Sequence, residues 1–295
     1  MPQLMRTLLY VPGNKTSMIQ KAPGYGADTL VLDLEDAVPP SEKAAARSIV
    51  AGLLASGELG GSRVMVRINA LGTAECSLDI QAVVVPGVMG LRIPKIESPD
   101  EILELEGMVA AQERASGLGI GTLRFIPILE SPLGVLRAYE IATASPRVIA
   151  ITLGAEDLTA ALGTERSREG AELEHARGSI VLCAAAAKVA AIDTVYPNIQ
   201  DEEGLLAETR HIKQLGFSGK SAIHPKQIAP IHRVFAPTEQ ELEKARRIVE
   251  AFQRARAEGS GAVAVDGRMV DLPVVVRANR TLALAGEGPL GGDNE

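Results

Sequence analysis

At 295 residues the chain is long enough for one large α/β domain or two small ones. Hydrophobic residues make up 46% and aromatics only 3%, with no Trp, so the core must come from Val, Ile, Leu and Ala, as suits a parallel sheet buried on both faces. A net charge of −7 excludes a general attraction to nucleic acid or an anionic membrane, and two distant cysteines, Cys76 and Cys183, without CxxC or Cys/His clustering, speak against a disulfide or zinc framework and for a reducing compartment. No segment approaches the roughly 18 apolar residues of a membrane span, and the N-terminus lacks the basic, apolar and cleavage regions of a signal peptide. A soluble, cytoplasmic protein with no nucleic-acid or membrane partner is expected.

Taken in order, Thr7 to Val11 is an apolar run closed by Pro12-Gly13-Asn14, a strand and a turn. A helix follows from near Lys15 to the glycines at 24 and 26. Thr29 to Asp33 is the next strand, and Lys43 to Leu54 a helix capped from Ser41. Arg63 to Asn69 is a third strand carrying Arg67 at its end, and Gly90 to Lys95 a fourth. Ser98-Pro99-Asp100-Glu101 opens a helix with Pro in the first turn. Phe125-Ile126-Pro127-Ile128-Leu129-Glu130 and, a helix later, Val148 to Asp157 give the fifth and sixth strands. Leu173 to Ala190 is an Ala-rich helix, with Gly178 placed for close packing on the sheet. Ile192 to Ile199, the helix Asp201 to Leu215, and Gly219 to His224 complete the alternation. Eight strand–helix repeats in this length predict a (β/α)8 TIM barrel, with sites at the C-terminal strand ends. A doubly wound open sheet is the alternative, weakened by the absence of a glycine fingerprint after the first strand.

Beyond the barrel, Thr238 to Glu258 reads as one charged helix whose charges are by default a solvated face. Gly259-Ser260-Gly261 reads as a hinge, Ala262 to Asp271 as a hairpin turning at Asp266-Gly267, and Pro273 to Leu284 as a last helix. The expected organisation is a catalytic barrel over residues 1–235, a C-terminal helix and lid extension over 236–285, and a disordered tail over 286–295. The hairpin and helix suit a lid, an arm reaching a neighbouring subunit, or a cap closing the barrel end.

Asp33, Glu35, Asp36, Arg67, Lys95, Glu130, Asp157 and His224 all fall at or just after predicted strand ends. Glu130 and Asp157, on neighbouring strands, suit either a hard divalent cation or two helix N-terminal caps. Five acids at one barrel mouth repel one another without a cation, which favours the metal, and oxygen-only ligands favour Mg²⁺ over zinc. Arg67 suits a carboxylate or an enolate oxygen, or else an ion pair with Asp36 or Glu130 that holds the mouth together. Lys95 as a Schiff-base lysine ranks below the metal class, His224 reads as a structural hydrogen-bonded histidine, and Val11 to Lys15 is a weak phosphate loop.

These residues resemble the citrate lyase β-subunit-like branch of the HpcH/HpaI aldolase superfamily. The matching pieces are Arg6 to Gly13, Leu32-Asp33-Leu34-Glu35-Asp36-Ala37-Val38, Val66-Arg67-Ile68-Asn69, Ile128-Leu129-Glu130-Ser131-Pro132, Leu153 to Leu158, Gly219 to Pro225 and Met269-Val270-Asp271-Leu272-Pro273. In order, they span about residues 4 to 285. The resemblance implies a Mg²⁺-dependent barrel that cleaves or forms a C–C bond beside a CoA or acyl-carrier thioester. By it, Glu130 and Asp157 match metal ligands, Arg67 and Glu130 substrate contacts, and Glu35 and Asp36 acids that support the metal's waters. Asp271 matches a catalytic acid on the C-terminal lid that enters an adjacent subunit, so a homotrimer or hexamer is expected, with citrate lyase complex subunits as further partners. A citryl-thioester lyase giving an acetyl thioester and oxaloacetate is the first reading. The alternatives are a stand-alone malyl-CoA or citramalyl-CoA lyase or thioesterase, and a complex-forming subunit with little activity of its own. Intact Arg67, Glu130, Asp157 and Asp271 argue against the last.

Overall fold

The computed structural model describes residues 5–287. Its contacts divide the chain into two compact units, which among the described residues are Met5–His232 and 233–287. The first is a closed barrel of eight parallel strands in sequence order: β1 Thr7–Pro12, β2 Thr29–Asp33, β3 Val64–Arg67, β4 Gly90–Ile93, β5 Arg124–Leu129, β6 Ala150–Leu153, β7 Ala190–Asp193 and β8 Gly219–Ala222. Closure comes from β1 pairing in parallel with β8, Thr7 to Leu9 lying beside Lys220 to Ala222. Because helices cover the outside and side chains fill the inside, β2, β4 and β6 are buried at every position, which is why they read as largely apolar runs. Leu8, Val31, Met65, Ile126, Ala150 and Ile192 pack as one buried cluster. The open-sheet alternative is thereby excluded.

Several local expectations change. β3 and β7 are shorter than their apolar stretches suggested, ending at Arg67 and Asp193. The helix Lys43–Ser56 has no side-chain cap; Ser41 lies instead in a single tight turn, Pro40–Glu42. A Cβ at Gly178 would meet nothing within 4 Å, so that glycine makes no close approach to the sheet. Helices Ala74–Val83, capped by Thr73, and Ile228–Phe235 were not anticipated. The predicted start at Ser98 holds as a full capping box with Glu101.

Buried charge ties the outer helices to the barrel. Arg177 and Lys220, both fully buried, share Asp193 (3.0 and 2.7 Å) and Glu208 (2.9 and 2.5 Å). Beside β5, Arg147 pairs with fully buried Glu113 (2.7 Å), whose oxygens also accept the Gly121 and Leu123 N–H groups at 2.8 Å each. No helix among the described residues is long and apolar enough to cross a membrane.

In the C-terminal unit, helix Glu239–Ala257 is opened by a capping box of Thr238 and Glu241 and buries Leu242, Val249 and Phe252 against Val270, Val275 and Leu282. β9 Val263–Val265 and β10 Arg268–Val270 form an antiparallel hairpin turned by Asp266 and Gly267, both at positive φ (51° and 73°). Helix Leu272–Leu284 completes it. Of the expected tail, residues 288–295 lie outside the described residues, while Glu287 pairs with Arg246 at 2.5 Å.

The Arg147 guanidinium, together with two backbone N–H donors, outweighs burial and holds the Glu113 carboxyl near 2, below its ordinary 4.5. This depressed carboxylate contributes stability above pH 4.5 that is lost as pH falls towards 2. Glu113→Gln should therefore lower unfolding free energy by about 3 kcal/mol at pH 7. In urea titrations across pH, its gap from the parent should close as pH drops below about 4.5.

Candidate active site

The C-terminal strand ends open on a pocket of about 430 Å³ whose wall includes Tyr10, Asp33, Asp36, Arg67, Arg92, Glu130, Thr152, Gly154, Asp157 and Ser221. Five of the predicted residues therefore meet in one place: Arg67, Asp36, Glu130, Asp157 and the strand-end Asp33. Glu35 joins them through Arg67, 2.8 Å from its carboxylate.

Each side chain is placed by its strand. Arg67 ends β3 beside Asp33, which ends β2, and the parallel register sets the two next to each other. The Asp33 carboxylate accepts from Arg67 Nε and Nη2 at 2.7 and 2.6 Å, a two-pronged pair. Arg67 Nη1 lies 2.8 Å from Glu35 and 3.4 Å from the exposed Asp36. The predicted ion-pair partner Asp36 is thus joined by Asp33 and Glu35, with Glu130 not among the pairs. Burial pulls the Arg67 pKa down, but the Asp33 hydrogen bond and nearby carboxylates raise it above its ordinary value, so it stays charged.

Glu130 follows β5 directly and is buried. Its Oε1 accepts the Lys95 backbone N–H at 2.7 Å. That N–H is presented by a left-handed backbone at Lys95 (φ 58°), a costly conformation for a residue with a side chain. The Lys95 ammonium pairs with Glu35 at 3.2 Å. Burial lowers its pKa, Glu35 more than reverses this, and the amine stays protonated, unlike a Schiff-base nucleophile. Asp157 lies in the first turn of helix Ala155–Leu162, past the end of β6 rather than on it, and its side chain is exposed. His224 Nδ1 accepts the Lys226 N–H at 3.2 Å, a structural cap. Gly13 has a packing reason, since a Cβ there would sit 2.7 Å from the Asp33 carbonyl oxygen; the helix after it, Thr16–Lys21, is a single short piece. Asp271 belongs to the C-terminal unit, where it caps helix Leu272–Leu284 by accepting from the Val274 N–H at 3.4 Å.

The acids behave as a crowded cluster. Burial, then repulsion from Glu35 and Asp157, pushes the Glu130 carboxyl up to about 7. Burial also raises Glu35, whose Oε2 has no aligned hydrogen-bond donor despite its closeness to Arg67. A divalent cation fits this set. The donors are carboxylate oxygens, the cluster carries negative charge that protein cations only partly offset, and the Glu130 carboxylate lies against Gly154 so closely that a Cβ there would fall 2.6 Å from Oε2. Among the described residues no three His, Cys, Asp or Glu side chains converge tightly enough to enclose a cation by themselves. Two carboxylates with the remaining positions left to water and substrate is the habit of Mg²⁺.

Sequence reasoning missed Tyr10 and Arg92. Tyr10 lies within β1, and its ring lies under both the Arg67 and Arg92 guanidiniums, 4.9 and 5.0 Å from their central carbons. Arg92 is fully buried in the middle of β4. The available signal was a lone charge inside a four-residue strand otherwise made of Gly, Leu and Ile.

Residues 6–225 match the family described as HpcH/HpaI aldolase/citrate lyase. The chain belongs to that family. Within it, the chain is 44% identical to the citrate lyase subunit beta of Leuconostoc mesenteroides subsp. cremoris, over 96% of this chain and 94% of that one. It is 35% identical to the mitochondrial citramalyl-CoA lyase of Rattus norvegicus, over 95% of this chain and 86% of the relative. Among solved family structures, the protein CitE from Mycobacterium tuberculosis, in complex with magnesium, acetoacetate and coenzyme A, superposes with a TM-score of 0.79 at 33% identity, covering 97% of this chain and 100% of that one.

Gly154→Ala alters no carboxylate but drives a methyl into Glu130. In calorimetric titrations with Mg²⁺ it should weaken cation binding by about 10-fold or more. Unchanged affinity would remove Glu130 from the cation site.

Proposed function

We propose that this chain is a Mg²⁺-dependent carbon–carbon lyase that splits a citryl thioester, on CoA or an acyl-carrier protein, into an acetyl thioester and oxaloacetate. The observation that carries the reading is the barrel-mouth grouping of Arg67, Glu35, Glu130 and Asp157 in a chain so similar over nearly its whole length to a citrate lyase β subunit. The citramalyl-CoA lyase relative supports a second reading, a stand-alone citramalyl-CoA or malyl-CoA lyase with or without thioesterase activity.

Glu130 and Asp157 are assigned to hold the cation, which when bound would supply Lewis acidity to the hydroxyl and carboxylate oxygens of the acyl group. Glu35 and Asp36 would support the cation by accepting hydrogen bonds from its waters. Arg67, fixed by Asp33, offers a guanidinium to the thioester oxygen, where negative charge grows as the bond between the α- and β-carbons breaks and its electrons form an enolate. The hydroxyl proton passes to water as the β-carbon becomes a ketone, and the enolate takes one proton at the α-carbon, so that none is gained or lost overall. Asp271 is assigned that proton transfer. Its place on the C-terminal unit, beside exposed Met269, Leu272 and Val276, supports an arm that serves a neighbouring subunit in a homotrimer or hexamer. Partnership with other citrate lyase subunits and a cytoplasmic location complete the proposal.

A coupled assay across citryl-, citramalyl- and malyl-CoA, with and without Mg²⁺, identifies both the reaction and the acid released. Asp157→Ala should abolish Mg²⁺-dependent turnover while the metal-free protein keeps its melting temperature; full activity would remove Asp157 from the cation site. Asp271→Asn should slow turnover by about 100-fold or more with little change in Mg²⁺ affinity. Unaffected turnover would leave Asp271 a helix cap only.

A further inference from the structure

Buried cations in this protein come with carboxylates. Arg147 has Glu113, and Arg177 and Lys220 share Asp193 and Glu208. This follows from the cost of an uncompensated charge away from water. Arg92 is the exception among the described residues. It is fully buried, forms no ion pair, and its Nε and Nη1 have no hydrogen-bond partner. Its one hydrogen bond is a long contact of Nη2 with the Ser221 hydroxyl, 3.4 Å. The Tyr10 ring offers partial compensation on one face. Arg92 is nevertheless part of the pocket lining, one strand over from Arg67, with which it is in register across β3 and β4.

The two arginines are therefore differently disposed. Arg67 is held by Asp33 on one edge and by Glu35 and Asp36 on the other, so it has single N–H donors to offer but no forked edge free for a further carboxylate. Arg92 keeps an unmatched charge, and neither of its forked edges, Nε with Nη2 or Nη1 with Nη2, carries a carboxylate, so either could receive one through two parallel N–H donors. The Ser221 hydroxyl and the unpartnered Thr152 hydroxyl on the same wall can donate to the remaining lone pairs of such a group.

We propose that Arg92 is the receptor for the second free carboxylate of the acyl group, and so sets a preference for citryl over citramalyl and malyl thioesters. The proposal rests on the thioester-lyase reading above. The three acyl groups share a hydroxyl and an adjacent carboxylate on the β-carbon, the pair suited to a cation. They differ in the last substituent there, which is a carboxymethyl in citryl, a methyl in citramalyl and a hydrogen in malyl. Only the first presents a further negative charge, and Arg92 is the pocket cation left unmatched to meet it.

The test uses the full-length protein with Mg²⁺ and two variants, Arg92→Met and Arg92→Lys. The ratio of kcat/KM for citryl-CoA over citramalyl-CoA should fall about 30-fold or more in Arg92→Met. Arg92→Lys should restore part of it, because the charge returns without the planar fork. Since the arginine is a burden to the ligand-free fold, Arg92→Met should melt no lower than the parent, whereas loss of a structural arginine would lower the melting temperature. Equal loss for both thioesters, or a fall in melting temperature with the ratio unchanged, overturns the proposal. Calorimetry with oxaloacetate and pyruvate separates this inference from the activity. If the parent turns over neither thioester, the lyase reading fails. Tighter binding of oxaloacetate than pyruvate, erased in Arg92→Met, would still support Arg92 as the carboxylate receptor, and absence of that preference would overturn it.

Discussion

The two-pronged pair between Arg67 and Asp33 is the contact on which the site's geometry depends. It joins the ends of β2 and β3, and from that fixed guanidinium the positions of Glu35 and Asp36 follow. Glu35 in turn holds the Lys95 ammonium, while the Lys95 backbone N–H holds Glu130. One connected chain of charge-assisted contacts thus runs from β2 through β3 and β4 to β5. Remove Asp33 and Arg67 would lose the fork that fixes it, leaving only its Nη1 contacts with Glu35 and Asp36 to place it.

A consistent division separates the polar groups that hold the barrel from those placed for chemistry. Arg177, Lys220, Asp193 and Glu208 satisfy one another almost completely, tying β7 and β8 to the helices Glu174–Ala187 and Glu202–Leu215. At the mouth the matching is incomplete. Glu130 is pushed towards neutrality by burial and by its acidic neighbours, Glu35 has an oxygen without an aligned donor, and Arg92 lacks an acid. Lys95 bears a strained backbone in the same place. Unmatched charge and strain concentrated at one barrel end are tolerated because the rest of the barrel is well packed, and they mark where a ligand has something to gain.

The barrel was legible because most of the strands are short, largely apolar runs bounded by polar or turn residues, and because eight such segments alternate with helix-length segments. Glu130, Arg67 and Asp36 were legible for the same reason, each standing at or just past a strand end. Asp157 was displaced in the reading by the length of a turn, since β6 ends at Leu153 and the acid sits inside the next helix. Ser41 and Gly178 misled because capping and close packing depend on where neighbouring segments lie, which residue type alone does not specify. Arg92 escaped for a subtler reason. In a strand buried on both faces, sequence parity cannot tell the barrel interior from the helix layer, so an arginine between Leu91 and Ile93 points to either. The pairing of Arg67 with Asp33 likewise needed the register of β2 on β3.

The seam between β1 and β8 bears on how the molecule comes into being. Thr7 to Leu9 find their outer partners only in Lys220 to Ala222, at the opposite end of the barrel sequence. During synthesis the first strand therefore waits, with one row of backbone donors and acceptors unpaired, until the last strand has left the ribosome. Closure of so long a loop is entropically late, and a ring of seven strands carries two open edges meanwhile. The interval between the seventh strand and the eighth is when the nascent chain is most exposed to pairing with the wrong neighbour, and a chaperone would act most usefully there.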